Sequence, residues 1–266
     1  MTKFPQSFPA TRMRRLRQSP WIRGLVAEHA LTPADLVWAV FLHDGEGRVP
    51  VGSLPGIDRL SVSEAAKAAK RAESLGIPAI ALFPYIGPEG KDETGSGALD
   101  PDGLVPRAIR AMKDAAPGVG LITDVALDAY TSHGHDGLLD PDGTIPNDAT
   151  TEKLVQQALV HAGAGADIVA PSDMMDGRIG AIRSAFEEEG FTNMMILAYA
   201  AKYASGFYGP YRDAIGSAKS LQGDKKTYQQ DPANAEEALR EVALDLAEGA
   251  DMVMVKPGLP YLDIVH

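Results

Sequence analysis

Residues 248–258 read EGADMVMVKPG and decide the fold class, because a helix end passes through a glycine into an apolar run that ends at a lysine. The same transition occurs earlier, where residues 164–169 read AGADIV. A short apolar run of this kind is typical of a strand that is buried on both faces of a parallel sheet. The repeated transition therefore predicts alternating strand and helix units.

Outward from this stretch, apolar runs alternate with alanine-rich helical segments. Two capping boxes mark helix starts: Ser61 with Glu64 before residues 65–72, and Asn234 with Glu237 before residues 238–247. No Gly-x-Gly-x-x-Gly follows the first strand, so a dinucleotide-binding sheet lacks its best signature. We predict an α/β TIM (β/α)8 barrel with strands at 37–42, 79–83, 120–127, 167–170, 194–200 and 252–255.

The charge of the 266 residues is unevenly distributed around a net value of −11. Residues 1–27 hold six basic side chains and no acidic one, so the remainder is strongly acidic. An acidic body repels phosphates, which argues against nucleic acid as a partner. We predict that residues 1–35 form an N-terminal arm that docks on a neighbouring subunit, and that residues 36–266 form the catalytic barrel domain.

Two absences narrow the function classes further. No apolar run approaches the roughly 20 residues of a membrane helix, and the N-terminus lacks a signal peptide, so we expect a cytoplasmic protein without a membrane partner. The chain has no cysteine, which excludes disulfides, a thiol nucleophile and any cysteine-ligated zinc site.

Lys202 and Lys256 each end a strongly apolar run, at the rim of the predicted core. Burial disfavours the ammonium form, so a lysine placed there is a candidate amine nucleophile for Schiff-base chemistry. A second ammonium about 6 Å away adds roughly 3 kcal/mol of repulsion, or about two pKa units. The alternative is a pair of lysines that extend to solvent from strand ends.

Polar clusters follow three of the predicted strands, where a barrel enzyme has its active site. Residues 123–150 contain six aspartates, two histidines and no cation, and should attract a metal ion, an ammonium group or a lysine. Residues 172–178 either take part in the chemistry or form a capped helix start with an ion pair. Residues 202–229 are aromatic, cationic and glycine-rich, as expected of a lid over an anionic substrate.

Ordered motifs across almost the whole chain carry a resemblance to the porphobilinogen synthase (5-aminolevulinate dehydratase) family. They include APSDMMDGR at 170–178, FYGPYRD at 207–213 and MVKPG at 254–258. The resemblance implies a TIM barrel with an extended arm, assembled into octamers or hexamers. It implies condensation of two 5-aminolevulinate molecules to porphobilinogen, an early step of tetrapyrrole (haem and chlorophyll) synthesis, with no organic cofactor.

The resemblance also implies roles for individual residues. Lys256 would form a Schiff base with the substrate that supplies the propionate side of the product, and Lys202 with the one that supplies the acetate side. The acetate-side carboxylate would be held by Arg212, Lys225 and Gln229. We count Asp128, Asp136, Ser172 and Tyr208 as further candidate substrate-binding residues.

This sequence departs from the family pattern in two respects. The three zinc-binding cysteines of some members correspond to Ala126, Asp128 and Asp136, so we expect no zinc. Glu241 matches a position that binds allosteric magnesium in some members, so we expect magnesium to stimulate at most and not to be essential. The chain also stops after six candidate strands, so we expect an incomplete barrel.

Two other functions are compatible with these residues. One is a class I Schiff-base aldolase that acts on another carbonyl compound, which would need only one such lysine. The other is a non-catalytic barrel protein, which would form no covalent adduct with a ketone.

Overall fold

The computed structural model of this chain describes residues 7–217 and 219–266. Its strands are β1 (Val37–His43), β2 (Arg48–Pro50), β3 (Asp58–Leu60), β4 (Ala79–Tyr85), β5 (Gly120–Val125), β6 (Ile168–Pro171), β7 (Met195–Lys202) and β8 (Met252–Lys256). They form a sheet in the order β2-β3-β1-β4-β5-β6-β7-β8. Six of these strands, β1 and β4 to β8, are parallel to their neighbours and follow one another in chain order. This is how the strands of a (β/α)8 barrel are arranged.

Helices separate most of the parallel strands. They are α1 (Pro20–Leu25), α2 (Val62–Leu75), α3 (Leu104–Ala115), α4 (Asn147–Ala164), α5 (Arg178–Glu188), α6 (Gly209–Ile215), α7 (Ala235–Ala247) and α8 (Leu262–Val265). The predicted cap of α2 is confirmed, because Ser61 Oγ accepts the amide of Glu64 at 3.3 Å. The predicted cap of α7 is wrong in detail, because Asn234 donates its side-chain amide to Glu237 and makes no bond to the helix backbone.

The strands bury both faces, as their apolar sequences predict. Leu121 packs with the larger core cluster shared with α2 to α5, whereas its neighbour Ile122 belongs to a cluster built from strand residues. Because successive side chains point to opposite faces of a strand, the second cluster fills the interior of the barrel. Tyr199 lies in this interior cluster, and its ring centre is 4.8 Å from Nζ of Lys256, the last residue of β8.

A short hairpin, β2–β3, is the part of the sheet that sequence patterning missed. Its two strands are antiparallel, and β3 pairs with β1. All three residues of β2 are exposed, so this strand has no apolar signal to reveal it.

The described part of the predicted arm is open to solvent. A 3-10 helix (Met13–Arg17) and α1 contain no buried residue, and Trp21 is 72% exposed. Residues 1–6 lie outside the described residues, and the predicted boundary at residue 35 falls just before β1. Its docking role stays a prediction. None of the described helices has both the length and the apolar character needed to cross a membrane.

Candidate active site

The carboxyl ends of β5 to β8 bring four polar residues to one edge of the sheet. Asp124 lies near the end of β5, and Ser172 directly follows β6. Lys202 and Lys256 are the last residues of β7 and β8, and they are direct partners in the register of these two strands. Adjacent strands lie about 4.8 Å apart, so the structure makes the two predicted lysines neighbours.

Lys256 Nζ is surrounded by aromatic rings. It lies 4.6 Å from the ring centre of Tyr211, 4.8 Å from Tyr199, 5.7 Å from Tyr208 and 5.9 Å from Phe83. Burial, with a further contribution from the charge of Lys202, lowers the pKa of Lys256 to about 8. The predicted lowering is therefore confirmed for this lysine, with burial as its larger cause.

Lys202 is buried and held in place by polar contacts. Its Nζ donates a hydrogen bond to the backbone carbonyl of Ser172 and lies 3.8 Å from Asp136 Oδ2. Ser172 directly follows β6, the strand next to β7, so this hydrogen bond fixes the orientation of the Lys202 amine. Ser172 contacts Lys202 through its backbone carbonyl oxygen.

The acidic loop after β5 meets a lysine from the predicted lid. Lys225 Nζ donates to Asp128 Oδ2 at 2.9 Å and to Asp136 Oδ1 at 3.0 Å, and all three residues are buried. Burial opposes the ammonium form, but the two carboxylates outweigh it and raise the pKa of Lys225. Burial raises the pKa of Asp136, whereas the charges of Lys225 and Lys202 keep the pKa of Asp128 low.

In this triad the ammonium of Lys225 bridges the acidic loop and the lid, which meets the expectation that residues 123–150 attract a lysine. The predicted contact of Lys225 with a substrate carboxylate stays a prediction. The two aspartates lie 97 and 89 residues before Lys225 in the chain, so their contact with it depends on the tertiary fold.

Asp124 is a candidate that the sequence-based site prediction did not select. Tyr211 donates its hydroxyl to Asp124 Oδ2 at 3.3 Å, and the buried Oδ1 atom has no hydrogen-bond partner. Burial, assisted by the charge of Asp128, raises the pKa of Asp124 to about 6. Its position near the end of a strand was a usable signal, because barrel enzymes place catalytic groups there.

A cleft of about 520 Å³ is lined by residues between 204 and 232, most of them in the predicted lid. Arg212, Lys225 and Gln229 line it, and the Oε1 atom of Gln229 is buried without a partner. The hydroxyl of Tyr208 donates to the backbone carbonyl of Lys256 at 3.0 Å. A guanidinium fork and the side-chain NH2 of Gln229 are donors, and donors in one cleft are suited to a carboxylate ligand.

Glu241 lies apart from the lysines, in a second cavity of about 600 Å³ that Asp176 also lines. Burial raises the pKa of Glu241, and the charge of Asp245 adds to the effect. Within residues 7–217 and 219–266, no group of three or more acidic, histidine or cysteine side chains is arranged to hold a metal ion. A cation at Glu241 would therefore keep much of its own water, as Mg²⁺ commonly does.

The loop at 172–178 is mainly structural. Arg178 is almost fully buried and donates to Asp245 at 2.9 Å, while its Nε lies 3.7 Å from Asp173. The predicted ion pair is therefore present at Arg178, but the predicted side-chain cap is not, because Gly177 precedes α5 without a side-chain hydrogen bond. Ser172, at the other end of the loop, contacts Lys202.

Comparisons with known proteins agree with this geometry. The sequence profile of the delta-aminolevulinic acid dehydratase family matches residues 10–266. The delta-aminolevulinic acid dehydratase of Bradyrhizobium diazoefficiens is 59% identical over 258 residues, which are 97% of this chain and 73% of the relative. That of Rhodobacter capsulatus is 53% identical over 267 residues, covering 100% of this chain and 80% of the relative.

A solved structure shares the fold closely. The delta-aminolevulinic acid dehydratase of Toxoplasma gondii, in complex with the reaction product porphobilinogen, superposes with a TM-score of 0.93 at 52% identity. The match covers 96% of this chain and 73% of the Toxoplasma chain.

Proposed function

This chain belongs to the delta-aminolevulinic acid dehydratase family and condenses two 5-aminolevulinate molecules to porphobilinogen, and we propose that Lys256 and Lys202 carry the reaction as Schiff-base amines. The observation that supports this assignment is the pairing of the two lysines at adjacent strand ends. An aldolase for another carbonyl compound and a non-catalytic barrel are set aside, because relatives at 59% and 53% identity are dehydratases of this substrate.

The first step uses the neutral form of Lys256. With a pKa of about 8, roughly a tenth of this side chain is an amine at pH 7, against less than a thousandth of an ordinary lysine. The amine adds to the ketone of one substrate, and loss of water leaves an imine. Following the family resemblance, we assign this molecule to the propionate side of porphobilinogen.

Lys202 forms the second Schiff base, with the substrate that supplies the acetate side. Protonation of an imine makes its carbon electrophilic and acidifies the adjacent C–H bond. Asp124 is the group that we propose to accept a proton or hold the substrate ammonium, because its unpaired Oδ1 lies buried near the lysines. A C–C bond and a C–N bond then close the ring, both lysines are released, and two waters leave in total.

Arg212 and Gln229 are the proposed anchors of the acetate-side carboxylate. Both line the cleft, and a guanidinium fork pairs well with a carboxylate. Lys225 would stabilise this arrangement by tying the lid to Asp128 and Asp136. We propose that Tyr208 supports Lys256 from behind, through the hydrogen bond to its carbonyl.

Zinc has no part in the proposed chemistry. Ala126 offers no ligand, and the carboxylates of Asp128 and Asp136 are paired with the ammonium of Lys225. A soft thiolate site is excluded by the absence of cysteine. We propose that any stimulation by Mg²⁺ acts through Glu241, with Asp176 lining the same cavity and water completing the shell.

The remaining proposals concern assembly and location. We propose that the basic arm docks on an acidic neighbouring subunit in a homo-oligomer, octameric or hexameric, in the cytoplasm. The exposed Trp21 and Leu25 support a docking role, because they lie four residues apart on α1 and so form adjacent apolar side chains on one face of the helix. Deletion of residues 1–24 should lower the sedimentation coefficient, and an unchanged large oligomer would refute the proposal.

The decisive experiment for the activity compares substitution of the buried Lys256 with substitution of an exposed lysine. Porphobilinogen formation from 5-aminolevulinate is measured for the purified protein, for Lys256→Met and for Lys67→Met, whose ammonium is exposed beside Glu64 on α2. Lys256→Met should form no product, and Lys67→Met should retain the normal rate. A Lys256→Met protein with near-normal turnover would refute the mechanism.

A further inference from the structure

Helix α6 carries much of the candidate site on only seven residues. Tyr211 from this helix contributes a ring beside Lys256 and a hydroxyl to Asp124, and Arg212 lines the cleft. A helix this short is not stable through its own hydrogen bonds. Contacts with other segments must therefore hold it at a fixed distance from Lys256.

The strongest of these contacts comes from the β2–β3 hairpin. Arg59, in β3, donates from Nε to the carbonyl of Ala214 and from Nη2 to the carbonyl of Asp213, both at 2.7 Å. These carbonyls belong to the last turn of α6, where few backbone amides remain to bind them; the carbonyl of Asp213 also accepts the amide of Gly216 at 3.1 Å. A guanidinium fork satisfies both carbonyls at once, and its charge suits the negative end of the helix dipole.

Tyr85 and Ser53 complete the attachment. The guanidinium of Arg59 stacks 4.0 Å from the ring centre of Tyr85, which fixes the plane of the fork. Ser53, in the loop between β2 and β3, donates its hydroxyl to Asp213 Oδ2 at 2.6 Å. The same hydroxyl lies 3.3 Å from the carbonyl of Pro210, so one serine contacts both ends of the helix.

An apolar contact lies beneath these polar ones. Val51 from the hairpin loop and Ile215 from α6 belong to one small buried cluster with Phe41 and Phe83. The ring of Tyr211 packs on this cluster, 5.4 Å from Phe83 in an edge arrangement. The hairpin and α6 are thus joined on the side of the helix that faces Lys256.

We propose that the hairpin segment 51–59 is a brace for α6, and that Arg59 is a positioning residue for the condensation reaction. The brace holds Tyr211 against Lys256 and Arg212 at the cleft, so it acts on the reaction through these two side chains. Arg59 itself touches neither lysine. The kinetic part of this inference rests on the proposed function, whereas the structural part does not.

The test uses Arg59→Ala and Arg59→Lys, with Arg48→Ala as the matched control. Arg48 lies on the same hairpin, but its guanidinium pairs with Glu64 on α2 at 2.6 Å and, among the described residues, makes no hydrogen bond or ion pair with α6. Lysine at position 59 keeps the charge but cannot bind two carbonyls in the plane of a ring. Hydrogen–deuterium exchange of the α6 amides and steady-state kinetics are measured for each variant.

In Arg59→Ala we expect at least tenfold faster exchange in α6, with α2 to α5 unchanged. We expect kcat/KM to fall about 10- to 100-fold, because misplacement by an ångström has effects of this size. KM should rise several-fold through Arg212, and Arg59→Lys should be intermediate. Methylguanidinium added at tens of millimolar should partly restore Arg59→Ala and leave Arg48→Ala unaffected.

Normal α6 exchange in Arg59→Ala would overturn the brace, and so would faster exchange with unchanged kcat/KM. If Arg59→Ala does not fold, Arg59→Lys decides by the same two measurements. If the unmodified protein forms no porphobilinogen, the proposed function fails, and the exchange experiment still decides the brace.

Discussion

Lys256→Met should make the protein more stable at neutral pH while abolishing its activity. The ammonium of Lys256 has aromatic neighbours and, within the described residues, no hydrogen-bond acceptor. The difference between a pKa of about 8 in the folded protein and 10.5 in an ordinary lysine corresponds to about 3 kcal/mol. Because a pKa shift already includes the attraction between the ammonium and the rings, we expect Lys256→Met to gain up to about 3 kcal/mol.

The sign of the pH dependence follows from proton binding. Below pH 8 both the folded and the unfolded protein carry a charged Lys256, and the full cost of burying it is present. Between pH 8 and 10.5 the folded protein loses this proton while the unfolded protein keeps it, so the cost shrinks as pH rises. The stability advantage of Lys256→Met should therefore fall by about 2 kcal/mol between pH 7 and 9.5.

Urea unfolding at both pH values, at one protein concentration, measures this difference. Lys226→Met is the control, because Lys226 is exposed and its removal relieves no burial. A Lys256→Met protein that is less stable than the parent at pH 7, or whose advantage does not change with pH, would show that the amine is not held in a poorly solvated site.

Three further predictions address other parts of the site. Lys225→Met should cost about 3–5 kcal/mol in urea unfolding, because Asp128 and Asp136 lose a buried partner, and a loss below about 1 kcal/mol would contradict the triad. Arg212→Lys should raise KM about tenfold with a smaller change in kcat, since it replaces a fork by a point charge, and an unchanged KM would remove Arg212 from the carboxylate site. Elemental analysis should find far less than one zinc per chain, and zinc added after chelation should not raise the rate, whereas Glu241→Gln should abolish any stimulation by Mg²⁺.

Local sequence patterns predicted much of the barrel, because each parallel strand is an apolar run that contrasts with its neighbours. The boundaries were less accurate. The strand predicted at 120–127 ends at Val125, and the one predicted at 194–200 continues to Lys202 as β7, which has an irregular register with β8. Pairing between strands sets these ends, and a single sequence does not show that pairing.

The site was predictable where a residue and its context lie close together in the chain. Lys202 and Lys256 could be found because each ends its own apolar run. The bridge from Lys225 to the acidic loop could not, since it joins segments about 90 residues apart. The brace between Arg59 and α6 spans about 155 residues and starts from a strand with little apolar character.

The most direct test of the central claim is borohydride reduction in the presence of 5-aminolevulinate, followed by peptide mass analysis. Each Schiff base that is trapped should add the mass of the substrate less one oxygen atom. We expect this adduct on the peptide that contains Lys256 and on the one that contains Lys202, with Lys225 and Lys226 unlabelled. Adducts on other lysines, or no adduct while the protein is turning over substrate, would contradict it.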